Sequence, residues 1–121
     1  MPKKTPPPPR SPKAVIVTVH GTGDTADRDD GPKWFQIGSA FTSRLQSILA
    51  QRGLDTEIRP VRWSGANSAL EREAGAEKLE QELAKLTKEH ASVHIIGHSH
   101  GGNVANDAVC RLRLPEAVRA A

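Results

Sequence analysis

Apolar and polar positions along this chain follow two rhythms. Three short runs are almost continuously apolar or β-branched: Ala14 to Val19, Thr56 to Val61 and Val93 to Ile96. Runs of this length predict strands, and Ala14 to Val19 has the pattern of a central parallel strand covered on both faces. Pro60 puts the second run at a sheet edge or at a strand terminus, because proline donates no ladder hydrogen bond. Between the runs the rhythm is helical. Ile37, Phe41, Leu45, Ile48 and Leu49 make an apolar stripe in a helix predicted over Trp34 to Arg52, with Gly53 as its stop. Ser68-Ala69-Leu70-Glu71 matches a capping box and opens a long helix to about His90, with Leu70, Ala74, Leu79, Leu83 and Leu86 on its inner side. Val104, Ala105, Ala108, Val109 and Leu112 mark one face of a third helix. It reaches Arg113 and is broken at Leu114-Pro115. Glu116 to Ala121 has the composition to begin another short helix. The order β-α-β-α-β-α predicts an α/β fold, a three-layer sandwich with a parallel sheet.

At 121 residues the chain holds at most one domain. Met1 to Lys13 is set apart by composition. It carries six of the nine prolines and four basic residues with no acid, and it predicts a disordered tail of polyproline character. A proline-recognition ligand is the other reading of that tail. The domain is therefore assigned to residues 14–121. The net charge of +3 belongs to the tail, since the remaining 13 basic and 14 acidic residues leave about −1. A near-neutral domain offers no nucleic-acid-binding face. No apolar run approaches the length of a membrane span, and the N-terminus lacks the apolar core of a signal peptide. Cys110 has no partner for an internal disulfide and reads as a small core residue on the apolar face of the third helix. The expectation from these features is a cytoplasmic protein.

Candidate chemistry sits where the third strand meets the third helix. Gly97-His98-Ser99-His100-Gly101 fits Gly-x-Ser-x-Gly between a β-branched run and a helical one. On such a turn the serine stands proud of the sheet edge with strain in its own backbone. The flanking positions are glycine because a Cβ there would collide with the neighbouring strand or the helix start. The helix N-terminus adds backbone N–H groups that favour developing negative charge. His20-Gly21-Thr22-Gly23-Asp24-Thr25, at the end of the first run, is a second glycine-rich loop on the ligand-binding edge of such a sheet. It lacks the lysine of a phosphate-binding loop and the third glycine of a dinucleotide fingerprint, which argues against nucleotides. Asp24, Asp27, Asp29 and Asp30 lack the spacing of a calcium loop and read as a solvated surface loop.

Three stretches, Val15 to Thr25, Arg62 to Ser68 and His94 to Val104, together resemble the α/β-hydrolase superfamily, and specifically lipase-like or esterase-like serine hydrolases. The resemblance covers nearly all of Ala14 to Arg113 and corresponds to the front half of a family domain. It implies Ser99 as nucleophile, the backbone N–H of His100 as one oxyanion donor and that of Thr22 as the second. His20, Gly21, Gly23 and His98 are implied to line the pocket, with His20 shaping the loop. No metal and no cofactor are implied. The implied reaction is cleavage of an ester or related acyl bond of a small molecule through an acyl-serine.

The sequence departs from that family in one respect. The superfamily order is serine, then acid, then histidine. No histidine follows His100, and the only later acids are Asp107 and Glu116. Asp107 lies about two helical turns beyond Ser99, away from the catalytic edge. A serine without a base is a weak nucleophile, so little or no turnover is expected of this chain alone. His20, His98 or His100 serving as an unusual base, or together as zinc ligands, are the remaining readings of those side chains. The alternative class is a non-catalytic interaction module, whose open sheet needs a missing C-terminal half, a partner or self-association to cover it.

Overall fold

The computed structural model describes residues 9–113. Its element order is β1 (Ala14–Val19), α1 (Ala40–Gln51), β2 (Thr56–Pro60), α2 (Ala69–Glu89), β3 (Val93–Gly97) and α3 (His100–Arg113). The three strands form one parallel sheet in the order β2-β1-β3. β1 is central and fully buried along its length, as its uninterrupted apolar run predicts. Pro60 closes β2 at a sheet edge, where its missing N–H removes nothing from the ladder.

Strand alternation divides the packing into two layers. Val15, Val17 and Val19 meet Leu79, Leu83 and Leu86 of α2 and Val104 and Ala108 of α3 in the main core, joined by Val93 and Ile95. The five residues predicted for the α3 face all belong to this core or pack against it. The opposite face carries Ala14, Ile16, Thr56 and Ile96, and Leu45 and Leu49 of α1 lie over part of it.

Four expectations need correction. The first helix begins at Ala40, not Trp34. Ser39 caps it by accepting from the Thr42 N–H at 3.1 Å, and Gly38 just before it takes a positive φ of 83°. Trp34 to Ser39 is instead a looped segment knitted by side chains. The Gln36 amide donates to the carbonyls of Arg28 and Asp30 and its oxygen accepts from the Lys33 N–H. Second, Leu70 is 77 % exposed, and Ala74 is also exposed. At about 100° per residue, Leu70 lies on the side opposite Leu79. Gly75 and Ala76 take the buried positions in that turn. Third, Cys110 is exposed, because two residues past the buried Ala108 is the far side of the helix. Finally, Ser11 to Lys13, assigned to a disordered tail, are tied to the end of α2. The Ser11 N–H donates to Glu89 and its carbonyl accepts from Ala91. The rest of the proposed tail up to Pro8, and the short helix suggested over Glu116 to Ala121, lie outside the described residues. Among the described residues no helix is long and apolar enough to cross a membrane.

Candidate active site

Val93 to Gly97 is held against β1 by the parallel ladder, with Val19 opposite Gly97. The chain then turns at once into α3. His98 donates its N–H to Val19 O at 3.1 Å, and Gly101 and Gly102 close the turn onto His98 O and Ser99 O, both at 2.9 Å. Ser99 sits at the apex with φ of 56°, alone among the described non-glycine residues in having a positive φ. This is the backbone strain expected of a serine on a strand-to-helix elbow. The two motif glycines have the roles expected of them. A Cβ on Gly97 would lie 2.8 Å from the backbone of Gly102, the start of α3. A Cβ on Gly101 would meet the carbonyl oxygens of Val19 and His20, on and just beyond the neighbouring strand.

If Ser99 carries this strain, replacing it by glycine and by alanine separates backbone from side chain. Ser99→Gly should be more stable than Ser99→Ala by about 1 kcal/mol in urea unfolding, the reverse of the usual order near a helix start. Equal stabilities would show that the turn is relaxed.

The loop after β1 is pressed against this elbow. A Cβ on Gly21 would lie 3.0 Å from His98 O and 3.3 Å from the Ser99 Cβ. A side chain there would require the elbow to give by a few tenths of an ångström, and glycine avoids that shift. The next residue, Thr22, links the two loops directly, its Oγ1 lying 2.6 Å from His100 Nδ1. The backbone N–H of Gly23 donates to Gly65 O and that of Asp24 to Gly21 O. The Thr22 N–H donates to no acceptor among the described residues, and the His100 N–H lies in the first turn of α3, where no intrahelical partner exists. Two uncommitted amides therefore lie near Ser99, one on the loop after β1 and one in the first turn of α3.

His20 is fixed below this surface. It is fully buried, so it supports the loop rather than lining an open pocket, a correction to its expected place. The Trp63 N–H donates to Nε2 at 3.1 Å, which leaves Nδ1 to carry the proton and donate to Gly21 O at 3.0 Å. The ring is thus a neutral imidazole with both nitrogens engaged. Trp63 stacks on it with centroids 5.6 Å apart and returns its indole N–H to His20 O at 2.8 Å. The importance of Arg62 to Ser68 is now physical: this segment is the brace under the first glycine-rich loop.

His98 is exposed and meets the edge of Trp34, with ring centroids 6.0 Å apart. Trp34 in turn donates its indole N–H to Asp24 Oδ2 at 3.0 Å. The role of Trp34 was hidden in the sequence because its apolar neighbours matched a helical stripe. Its partners lie 10 and 64 positions away. Among Asp24, Asp27, Asp29 and Asp30, three are paired with basic side chains: Asp24 with Lys33, Asp29 with Arg62 and Asp30 with Arg28. They do not converge as cation ligands.

No histidine serves Ser99. Among the described residues its hydroxyl makes no hydrogen bond. The His100 ring is turned to Thr22, His98 to Trp34, and His20 is closed between Gly21 and Trp63. His90 bonds Lys13 O at the far end of α2, and His94 lies on β3 opposite Ile16. His20, His98 and His100 do not gather as a metal-binding group. Asp107 is exposed along α3. Comparison of the chain with protein-family models, with curated proteins and with solved structures finds no match.

Proposed function

We propose that this chain carries the nucleophile half of a serine hydrolase of the α/β-hydrolase type. It would act on an ester or related acyl bond through an acyl-serine on Ser99. The observation that carries this reading is the strained Ser99 flanked by the uncommitted Thr22 and His100 amides. Backbone donors aimed at a developing oxyanion are the largest single contribution in many acyl transfers, and losing one costs about 3–4 kcal/mol of barrier. What the chain lacks is the base. All five histidines are accounted for in other contacts or positions, so Ser99 would stay a neutral, weak nucleophile until another polypeptide segment brings an imidazole to it.

A fluorophosphonate probe followed by intact-mass measurement tests this. The chain alone should label no faster than roughly tenfold above its Ser99→Ala variant. Added imidazole should raise the difference at Ser99. Rapid, Ser99-dependent labelling without imidazole would contradict the missing base. Labelling indifferent to Ser99 under both conditions would contradict the hydrolase reading itself.

The alternative is a non-catalytic module that covers its sheet by association. The specific observation in its favour is that β3 is an edge strand with Ile96 only half-buried, beside an α1 whose Phe41 and Ile48 are exposed. Sedimentation at several concentrations separates the two, since a stable monomer counts against the requirement for self-association.

A further inference from the structure

The two free amides near Ser99 belong to residues whose side chains meet. Thr22 Oγ1 lies 2.6 Å from His100 Nδ1. The Thr22 hydroxyl has no other acceptor among the described residues, so its proton points to Nδ1 and the ring carries its own proton on Nε2. The direction of the Thr22 N–H is set elsewhere. It shares a peptide plane with the Gly21 carbonyl, which accepts from the Asp24 N–H at 3.2 Å and from His20 Nδ1 at 3.0 Å. Where that plane stands relative to α3 is a separate matter. The hydrogen bonds of His20 to Thr25 with other segments run to Lys33, Trp34, Trp63 and Gly65, before α1 and after β2. Toward the elbow and α3, the loop has one hydrogen bond among the described residues, that of Thr22 to His100.

We propose that the Thr22 and His100 side chains form a clasp that sets the spacing of the two backbone donors, so that both side chains are positioning residues. The proposal rests on the hydrolase reading for the use of the clasp, and on its geometry alone for its effect on the loop. The path from donor to clasp is short. One torsion separates the Thr22 amide from its hydroxyl, and a β-branched residue is stiff at that torsion. Two torsions separate the His100 amide from Nδ1. Joining the tips therefore limits the distance between the two amide nitrogens. Both donors must reach one oxyanion at about 2.7–3.1 Å, so a change in spacing loses one of them. The bond lies at the surface, and its loss leaves the core in place.

Thr22→Val removes the hydroxyl at nearly constant shape, and Thr22→Ser keeps it. Both are compared with the full wild-type chain. In wild type and Thr22→Ser, the ¹⁵N signal of His100 Nδ1 should be that of an unprotonated, hydrogen-bonded nitrogen. Thr22→Val should lose that signature. Residual dipolar couplings of Thr22, Gly23 and Asp24 should fit one frame with those of α3 in wild type and Thr22→Ser. In Thr22→Val they should depart from the α3 frame and still fit that of Trp63 to Gly65. Labelling of Ser99 by the fluorophosphonate probe with added imidazole should slow about tenfold to a hundredfold in Thr22→Val, and Thr22→Ser should recover most of the loss. Urea midpoints should coincide for all three chains, which separates a misplaced donor from a loosened fold. A ring signal indifferent to Thr22→Val, couplings that stay in the α3 frame, or equal labelling rates would each overturn the proposal. If imidazole brings no labelling even to the wild type, the hydrolase reading fails, and the ring signal and the couplings still decide whether the clasp places the loop.

Discussion

Gly101→Val should abolish stable folding, with a loss of about 4 kcal/mol or more in urea denaturation. A Cβ at this position would overlap the carbonyl oxygens of Val19 and His20. Both are main-chain atoms, Val19 in the central strand, so neither can move without disturbing the ladder with β3, in which Val19 lies opposite Gly97. α3 cannot withdraw either, because Val104 and Ala108 on the same helix are fixed in the main core. The adjacent glycine is the control. A Cβ on Gly102 meets nothing within 4 Å, and the residue is already helical. Gly102→Ala should therefore stabilise the chain by about 0.5–1 kcal/mol. Two neighbouring glycines with opposite outcomes would establish that close approach, and not general helix preference, fixes the motif.

Trp63→Ala should cost about 3–5 kcal/mol, the range for deleting a large buried aromatic side chain. Its side chain supports three things at once. It stacks on the His20 ring, gives its indole N–H to the His20 carbonyl and packs against Gly75, where a Cβ would lie 3.0 Å from the Trp63 Cβ. Truncation leaves the His20 carbonyl without its donor in a dry environment, which adds to the loss of packing. Trp63→Phe retains the stack and loses the N–H, so it should fall well short of the alanine variant. If the two variants are equally unstable, the hydrogen bond outweighs the packing. If neither is destabilised, the segment after β2 is not the brace of the glycine-rich loop. Urea midpoints for the pair decide this.

The sheet and the elbow were legible because their signals are local. Ala14 to Val19 could only be a covered strand, and Gly97 to Gly101 joins a strand rhythm to a helical one within five residues. Val104, Ala105, Ala108, Val109 and Leu112 were placed on the inner face of α3 correctly for the same reason, since they share one helical stripe, whereas Cys110, assigned to that face, is exposed. Where the sequence misled, two structures competed for one pattern. Ile37 and Phe41 continue the spacing of Leu45 and Leu49, but Gly38 and the capping Ser39 end the helix between them. Leu70 satisfies an apolar count without sharing the face of Leu79. The contacts that assemble the candidate site were not legible at all. Thr22 with His100, Trp63 with His20 and Trp34 with His98 join positions 78, 43 and 64 residues apart, and no periodicity records them. That no histidine follows His100 was visible from the sequence. The three-dimensional arrangement adds that the histidines nearest Ser99 already have other partners.

The central claim is a hydroxyl raised on a strained turn between two amides that have no other acceptor among the described residues. It is tested most directly by forming a tetrahedral adduct there and watching those amides. With phenylboronic acid at saturating concentration, the backbone N–H signals of Thr22 and His100 should move downfield together, and the Gly23 and Asp24 signals, already committed to Gly65 and Gly21, should not. Ser99→Ala should lose the response. An adduct that leaves both amides unmoved, or a response that survives without Ser99, would contradict the account.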